Sequence, residues 1–109
     1  MSLSEKKCVP CRETTSPLKG DYLKTFYSQI NPEWKLEEEH HLERTFKFKN
    51  FKEALAFTNE IGALAEEEGH HPDISLSWGR VTLKLFTHKI KGLSEADFIF
   101  AAKCDKLYS

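Results

Sequence analysis

No stretch of this chain is apolar over the ~20 residues that a membrane-spanning helix needs, so a role inside a bilayer is not expected. Neither sign of charge is in excess. Sixteen Lys and Arg stand against 17 Asp and Glu, a formal net charge of −1, which removes any electrostatic drive toward nucleic acid or an anionic membrane surface. Cysteine is scarce and odd in number, three in all, with two of them in Cys8-Val9-Pro10-Cys11. That usage argues against a disulfide framework and for a reducing, cytoplasmic setting. Met1 to Thr15 lacks the apolar core of a secretory signal. It also lacks helical or strand periodicity, so residues 1–15 are expected to form a flexible arm. There is no glycine-rich phosphate loop, no Gly-x-Ser-x-Gly nucleophile element and no His-Glu-x-x-His zinc motif.

What remains is an ordinary globular composition, 39% hydrophobic and 30% charged over 109 residues, enough for one core without staples. Residues 16–109 are expected to make a single domain. Pro17 suits a helix opening, and Leu18, Tyr22, Leu23, Phe26 and Ile30 recur at helical spacing up to Asn31-Pro32. Trp34, Leu36 and Glu38, then Leu42, Arg44, Phe46 and Phe48, alternate with polar neighbours. They predict two strands turning over near Glu39 to His41. Asn50-Phe51-Lys52-Glu53 reads as a capping box. It opens a helix with an apolar stripe of Phe51, Ala54, Leu55, Thr58, Ile61 and Ala65 that stops at Gly69.

A second hairpin follows, with Ile74, Leu76 and Trp78 on one side of Gly79-Arg80 and Val81, Leu83 and Leu85 on the other. Ser94-Glu95-Ala96-Asp97 is a further capping box, opening a helix that buries Phe100, Cys104 and Leu107. The order α-β-β-α-β-β-α gives each element one apolar face. An α+β domain satisfies them all, with two layers: a four-stranded, mostly antiparallel sheet and three helices on one of its faces.

The candidate chemistry lies mainly in histidines. His70-His71-Pro72 links the long helix to the third strand. Two imidazoles there sit at the negative end of a helix dipole on a backbone restrained by proline, placed to give and take protons near neutral pH. A solvated linker is the plainer alternative. His88 shares the phase of Thr82, Lys84 and Phe86, opposite to the aliphatic set of its strand, so it faces away from the core at the strand's end. Asp97, three residues into its capping box, is a helix-capping carboxylate that could also orient an imidazole. His40-His41 is expected in an exposed hairpin turn. Cys8 and Cys11 have the spacing of half a zinc site, with no second pair to complete it.

Together, Glu66-Glu67-Glu68-Gly69-His70-His71-Pro72, Trp78, Thr87-His88 and Gly92 to Asp97 resemble the signature of the pterin-4a-carbinolamine dehydratases. The likeness extends to the element order over about residues 16 to 108. It implies an enzyme that expels water from a 4a-hydroxytetrahydropterin, recycling the cofactor of aromatic amino-acid hydroxylases, with no metal or cofactor of its own. By the same resemblance, His70 and His88 form the acid/base pair. His71 is chiefly a pterin-binding group that can share in proton transfer. Asp97 supports the imidazoles, Glu66 lines the site or holds a histidine, and Pro72 and Asp73 shape a wall for the ring. Trp78 stands where some relatives have tyrosine and keeps the aromatic character.

The resemblance implies a homodimer or homotetramer, and Phe86 on the outer sheet face fits a buried contact between copies. Two other roles stay open. One is a non-catalytic dimerisation partner of a transcription factor. The other is a relative diverted to molybdopterin metabolism.

Overall fold

A computed structural model describes residues 18–87 and 90–108. The expected arm, residues 1–15, lies outside the described residues, as do Pro17 and the cysteine pair. The elements are α1 (Gly20–Tyr27), β1 (Lys35–Glu37), β2 (His41–Lys47), α2 (Phe51–Glu68), β3 (Asp73–Ser77), β4 (Arg80–Leu85) and α3 (Glu95–Tyr108). The strands form one antiparallel sheet in the order β1-β2-β4-β3. β2 and β4 are central, and α2 carries the chain from β2 to the far edge strand β3.

Alternation decides which face is covered. Leu42, Arg44 and Phe46 of β2 and Val81, Leu83 and Leu85 of β4 are buried. The aliphatic and aromatic members join Leu23, Phe57, Ile61, Phe98, Phe100 and Cys104 of the helices in a single core. The opposite face is polar. Thr45 and Thr82, directly paired across β2 and β4, share a hydroxyl–hydroxyl contact of 3.0 Å there. The expected two-layer arrangement with three helices on one face is therefore the observed one.

The helix ends follow the sequence closely. Asn50 Oδ1 accepts the Glu53 N–H at 2.8 Å, a side-chain cap on α2. The Glu53 carboxylate lies 3.5 Å from Lys49 Nζ. Gly69 closes α2 with φ +65, in the left-handed region where a Cβ is penalised. Its N–H and that of His70 both fold back on the Ala65 carbonyl. Gly79 is required for a different reason. A Cβ there would meet the Phe48 carbonyl oxygen at 2.9 Å, and Phe48 N–H donates to Gly79 O across the same close approach.

Several expected faces shift. In α1 Tyr22 is 76% exposed while Leu23 is buried, and the helix ends at Tyr27, before Ile30. The α2 stripe is Ala54, Phe57, Ile61 and Ala65; Phe51 and Leu55 are exposed. Nine apolar residues spread over that helix span an arc wider than one contact face, and the position of the sheet selects which part is buried. β3 is an edge strand, and its side chains Ile74 and Leu76 are only partly covered. In α3 Leu107 is exposed, whereas Phe98, Ile99 and Ala101 join Phe100 and Cys104 inside. β2 begins at His41 rather than after it. The turn is made by Glu38 and Glu39, both at positive φ, and closed by His40 N–H on Glu37 O at 2.8 Å.

Candidate active site

The C-terminus of α2 and the N-terminus of α3 meet beside the end of β4, and four polar side chains converge there. His70 follows the Gly69 cap directly, so its backbone is fixed by the same Ala65 carbonyl that ends the helix. Its Nε2 lies 2.6 Å from Asp97 Oδ1, with the His70 side chain 14% exposed and Asp97 fully buried. The His70 ring packs near Phe100, with centroids 5.8 Å apart.

Asp97 makes a helix-capping contact as well as the imidazole contact. Its Oδ2 accepts the Ser94 backbone N–H at 2.9 Å, the reciprocal contact of a capping box. The same oxygen accepts the Thr87 hydroxyl at 2.8 Å. Thr87 and Ser94 hydroxyls are 2.9 Å apart. Thr87 itself is held where β4 ends, by the exchange of backbone hydrogen bonds with Gly92 that pinches the loop shut.

A carboxylate can only accept, so the His70–Asp97 contact is an Nε2–H donated to Oδ1. That leaves Nδ1 as the ring nitrogen free for exchange with a ligand. The arrangement is an imidazole oriented by a buried carboxylate, with the carboxylate itself fixed by two further donors. It suits general acid–base work and resembles the orienting half of a catalytic triad.

The other expected residues divide. His71 Nε2 contacts Glu66 Oε2 on an exposed surface, so Glu66 holds His71, not His70. Pro72 is half-buried, and Asp73 opens β3 opposite Lys84. Trp78 is not brought to this cluster within one chain. It lies in the turn after β3, 69% exposed, about 16 Å along the strand from Asp73 at ~3.3 Å per residue. There it flanks Lys47, Phe48 and Arg80. His88 lies outside the described residues.

Two further polar groupings depart from the sequence reading, the first not singled out there and the second expected to be exposed. Arg44, on the core face of β2, meets Asp105 of α3 at 2.6 Å, and Trp34 Nε1 donates to the same Asp105 oxygen at 2.8 Å. Burial pushes the Asp105 carboxyl up, against the downward pull of Trp34 and Arg44. The available signal was the phase of Arg44 with Leu42 and Phe46, since a cation on a core face requires a partner.

The second grouping is His40 and His41, which are half-buried rather than exposed. Their Nδ1 atoms are 3.2 Å apart, and the His40 ring lies 5.0 Å from that of Phe86. Phe86, expected on the outer face for a contact between copies, is thus partly covered by its own chain. Burial first, then the charges of Lys84 and His40, lower the His41 pKa below its ordinary 6.5, opposed by Glu43 and Glu37. Folded His41 resists protonation, so its contribution to stability is present above 6.5 and is lost as pH falls through its lowered folded value. In an NMR titration His41 is expected to have a midpoint below 6.5 that rises in Lys84→Gln; an unmoved midpoint would remove Lys84 as a cause.

Among the described residues no group of three or more His, Cys, Asp or Glu side chains is placed to hold a metal ion. No helix there is long and apolar enough to cross a membrane.

Comparison with known proteins places this geometry in a family. A relative from Alkaliphilus metalliredigens (strain QYMF), provisionally named a pterin-4-alpha-carbinolamine dehydratase, is 64% identical over 99% of this chain and 97% of its own. A crystal structure of a transcriptional coactivator/pterin dehydratase from Brucella melitensis superposes with TM-score 0.80 at 26% identity, covering 86% of this chain and 100% of that one. A pterin dehydratase-like protein identified as a RuBisCO assembly factor in the alpha-carboxysome superposes with TM-score 0.61 at 29% identity, covering 70% of this chain and 89% of its own. The profile for pterin 4 alpha carbinolamine dehydratase matches residues 16–107, and the chain belongs to that family.

Proposed function

We propose that this chain is an active dehydratase, converting a 4a-hydroxytetrahydropterin to quinonoid dihydropterin by histidine acid–base catalysis. The observation that carries this reading is the His70–Asp97 pair, with Asp97 held by Thr87 and Ser94, inside the span of the chain that matches the family.

In a carbinolamine the hydroxyl and an amine nitrogen share one carbon. Protonating the hydroxyl lets it leave as water while the nitrogen lone pair forms the C=N bond. A base then takes a ring N–H proton, so the proton spent on the leaving oxygen is recovered. The chemistry needs one acid and one base. His70 and His88 are assigned to these roles, and each is ready for the next turnover once the proton is passed back. His71, steadied by Glu66, binds the pterin. Pro72 and Asp73 form a wall, Trp78 contributes its aromatic surface, and Asp97 stabilises the imidazolium of His70.

Since Trp78 is distant from His70 within one chain, any contact of Trp78 with the pterin requires a second copy. A homodimer or homotetramer accords with that and with the edge strand β3. Recycling of the cofactor of aromatic amino-acid hydroxylases, in the cytoplasm, is the setting this activity fits.

The test is to generate the 4a-hydroxy adduct in situ and follow its ultraviolet decay by stopped flow. Decay faster than the spontaneous rate, with quinonoid dihydropterin as product, is expected. The spontaneous rate in the presence of folded protein would favour a second reading, a non-catalytic binding role. The coactivator and assembly-factor descriptions of the two structural neighbours lend that reading support, and co-purification with a protein partner would then be sought.

A further inference from the structure

We infer that Thr87 is a positioning residue of the reaction, acting through Asp97 to fix the tautomer and aim of His70. The inference rests on the dehydratase reading and extends it to Thr87, a residue of the quoted signature to which the resemblance gives no role.

Counting the available protons orders this cluster. Asp97 Oδ2 accepts from Ser94 N–H at 2.9 Å and from Thr87 Oγ1 at 2.8 Å, while Ser94 Oγ is farther, at 3.4 Å. Each hydroxyl has one proton to give. Thr87 gives its proton to Asp97, so the 2.9 Å contact between the hydroxyls is donated by Ser94. The result is a one-way chain, Ser94 O–H to Thr87 O–H to Asp97, in which each bond polarises the next.

Thr87, Ser94 and Asp97 are all buried, with Asp97 fully so, and water does not compete for these groups. With Oδ2 occupied, Oδ1 is the oxygen left for His70 Nε2–H, and Nδ1 becomes the exchanging nitrogen. Removing the Thr87 hydroxyl leaves Oδ2 held chiefly by the Ser94 N–H at 2.9 Å and gives the carboxylate more freedom to rotate. Rotation loosens the Asp97 contact, which among the described residues is what distinguishes the two nitrogens of His70. Thr87 also neighbours His88 in sequence, so the anchor lies one peptide from the second member of the proposed pair.

A helix cap alone would not need this hydroxyl, because Ser94 N–H already satisfies the capping geometry. The experiment therefore compares Thr87→Val, which keeps the shape and loses the proton, with Thr87→Ser, which keeps the proton. It reads the His70 ring nitrogens by ¹⁵N NMR and kcat and KM by the dehydration assay.

In the wild type His70 is expected as the Nε2–H tautomer. In Thr87→Val that preference falls and kcat drops about tenfold, the scale of one hydrogen bond to a charged group, with KM changed less. Thr87→Ser restores both. An unchanged tautomer with kcat within twofold of wild type in folded Thr87→Val would overturn the inference. Should Thr87→Val not fold, Ser94→Ala decides instead. Loss of the upstream donor shifts the tautomer and kcat in the same direction if the chain operates, and neither moves if it does not. The NMR readout is independent of turnover. A wild type without activity would end the dehydratase reading, while the His70 tautomer would still report whether Thr87 sets it.

Discussion

His70→Gln is expected to lower kcat for dehydration by about 10²–10⁴-fold, the usual contribution of one positioned acid or base. Glutamine is the informative replacement. Its amide can still donate to Asp97 Oδ1, so the buried carboxylate keeps a partner in place of the 2.6 Å imidazole contact. It cannot take or deliver a proton at neutral pH. Alanine would confound the result by leaving Asp97, which is fully buried, short of a donor, at a cost to folding of about 1–3 kcal/mol. KM should rise less than kcat falls, because the proposed pterin contacts of His71, Pro72 and Asp73 are untouched. His88→Ala should reduce kcat on a similar scale, and equal activity in that variant would remove His88 from the pair. A His70→Gln protein with wild-type kcat would show that the imidazole does not carry the proton.

The largest expected loss of stability lies elsewhere, at Asp105. Asp105→Ala is expected to destabilise the fold by about 3 kcal/mol, toward the lower end for breaking a buried ion pair, because the carboxylate is 18% exposed. For a domain of this size that lowers Tm by roughly 15 °C. The cost comes from what is left behind. Arg44, 9% exposed and already with a buried Nε that has no hydrogen-bond partner, would keep its charge without the 2.6 Å carboxylate. The Trp34 indole N–H would lose its acceptor. The stacking of Arg44 over the Phe46 ring, 4.4 Å from its centroid, offsets only part of this.

Asp105→Asn keeps an acceptor for Trp34 and should cost less. Asp105 and Asp97 lie on the same helix about 12 Å apart at 1.5 Å rise per residue, so kcat per folded molecule should be unchanged. Denaturant or thermal unfolding measures the first effect and the dehydration assay the second. A Tm within 3 °C of wild type would contradict the role given to this cluster.

These two clusters differ in how far the sequence disclosed them. The His70 site was legible because its parts carry local signatures: a glycine cap before two histidines, and a serine followed three residues later by an acid. Their meeting was not legible from spacing alone, since His70 and Asp97 are 27 positions apart. The family resemblance supplied it. Asp97 was expected as either a cap or an imidazole partner, and its two oxygens allow both.

The Arg44–Asp105–Trp34 cluster spans 61 and 71 positions and has no local signature beyond a cation in an apolar phase. The element order and the alternating strands of the sheet centre were readable because period two leaves one solution. The buried sides of α1 and α2 were misjudged at Tyr22, Phe51, Leu55 and Phe57. There the apolar arc is broad, and only tertiary packing chooses within it.

Single-turnover stopped flow on wild type and His70→Gln side by side tests the proposed dehydration by a carboxylate-oriented His70. Decay of the 4a-hydroxy adduct well above the spontaneous rate is expected with wild type, and a loss of about 10²-fold or more in His70→Gln with its fold intact. Equal acceleration by both proteins, or none by either, would contradict it.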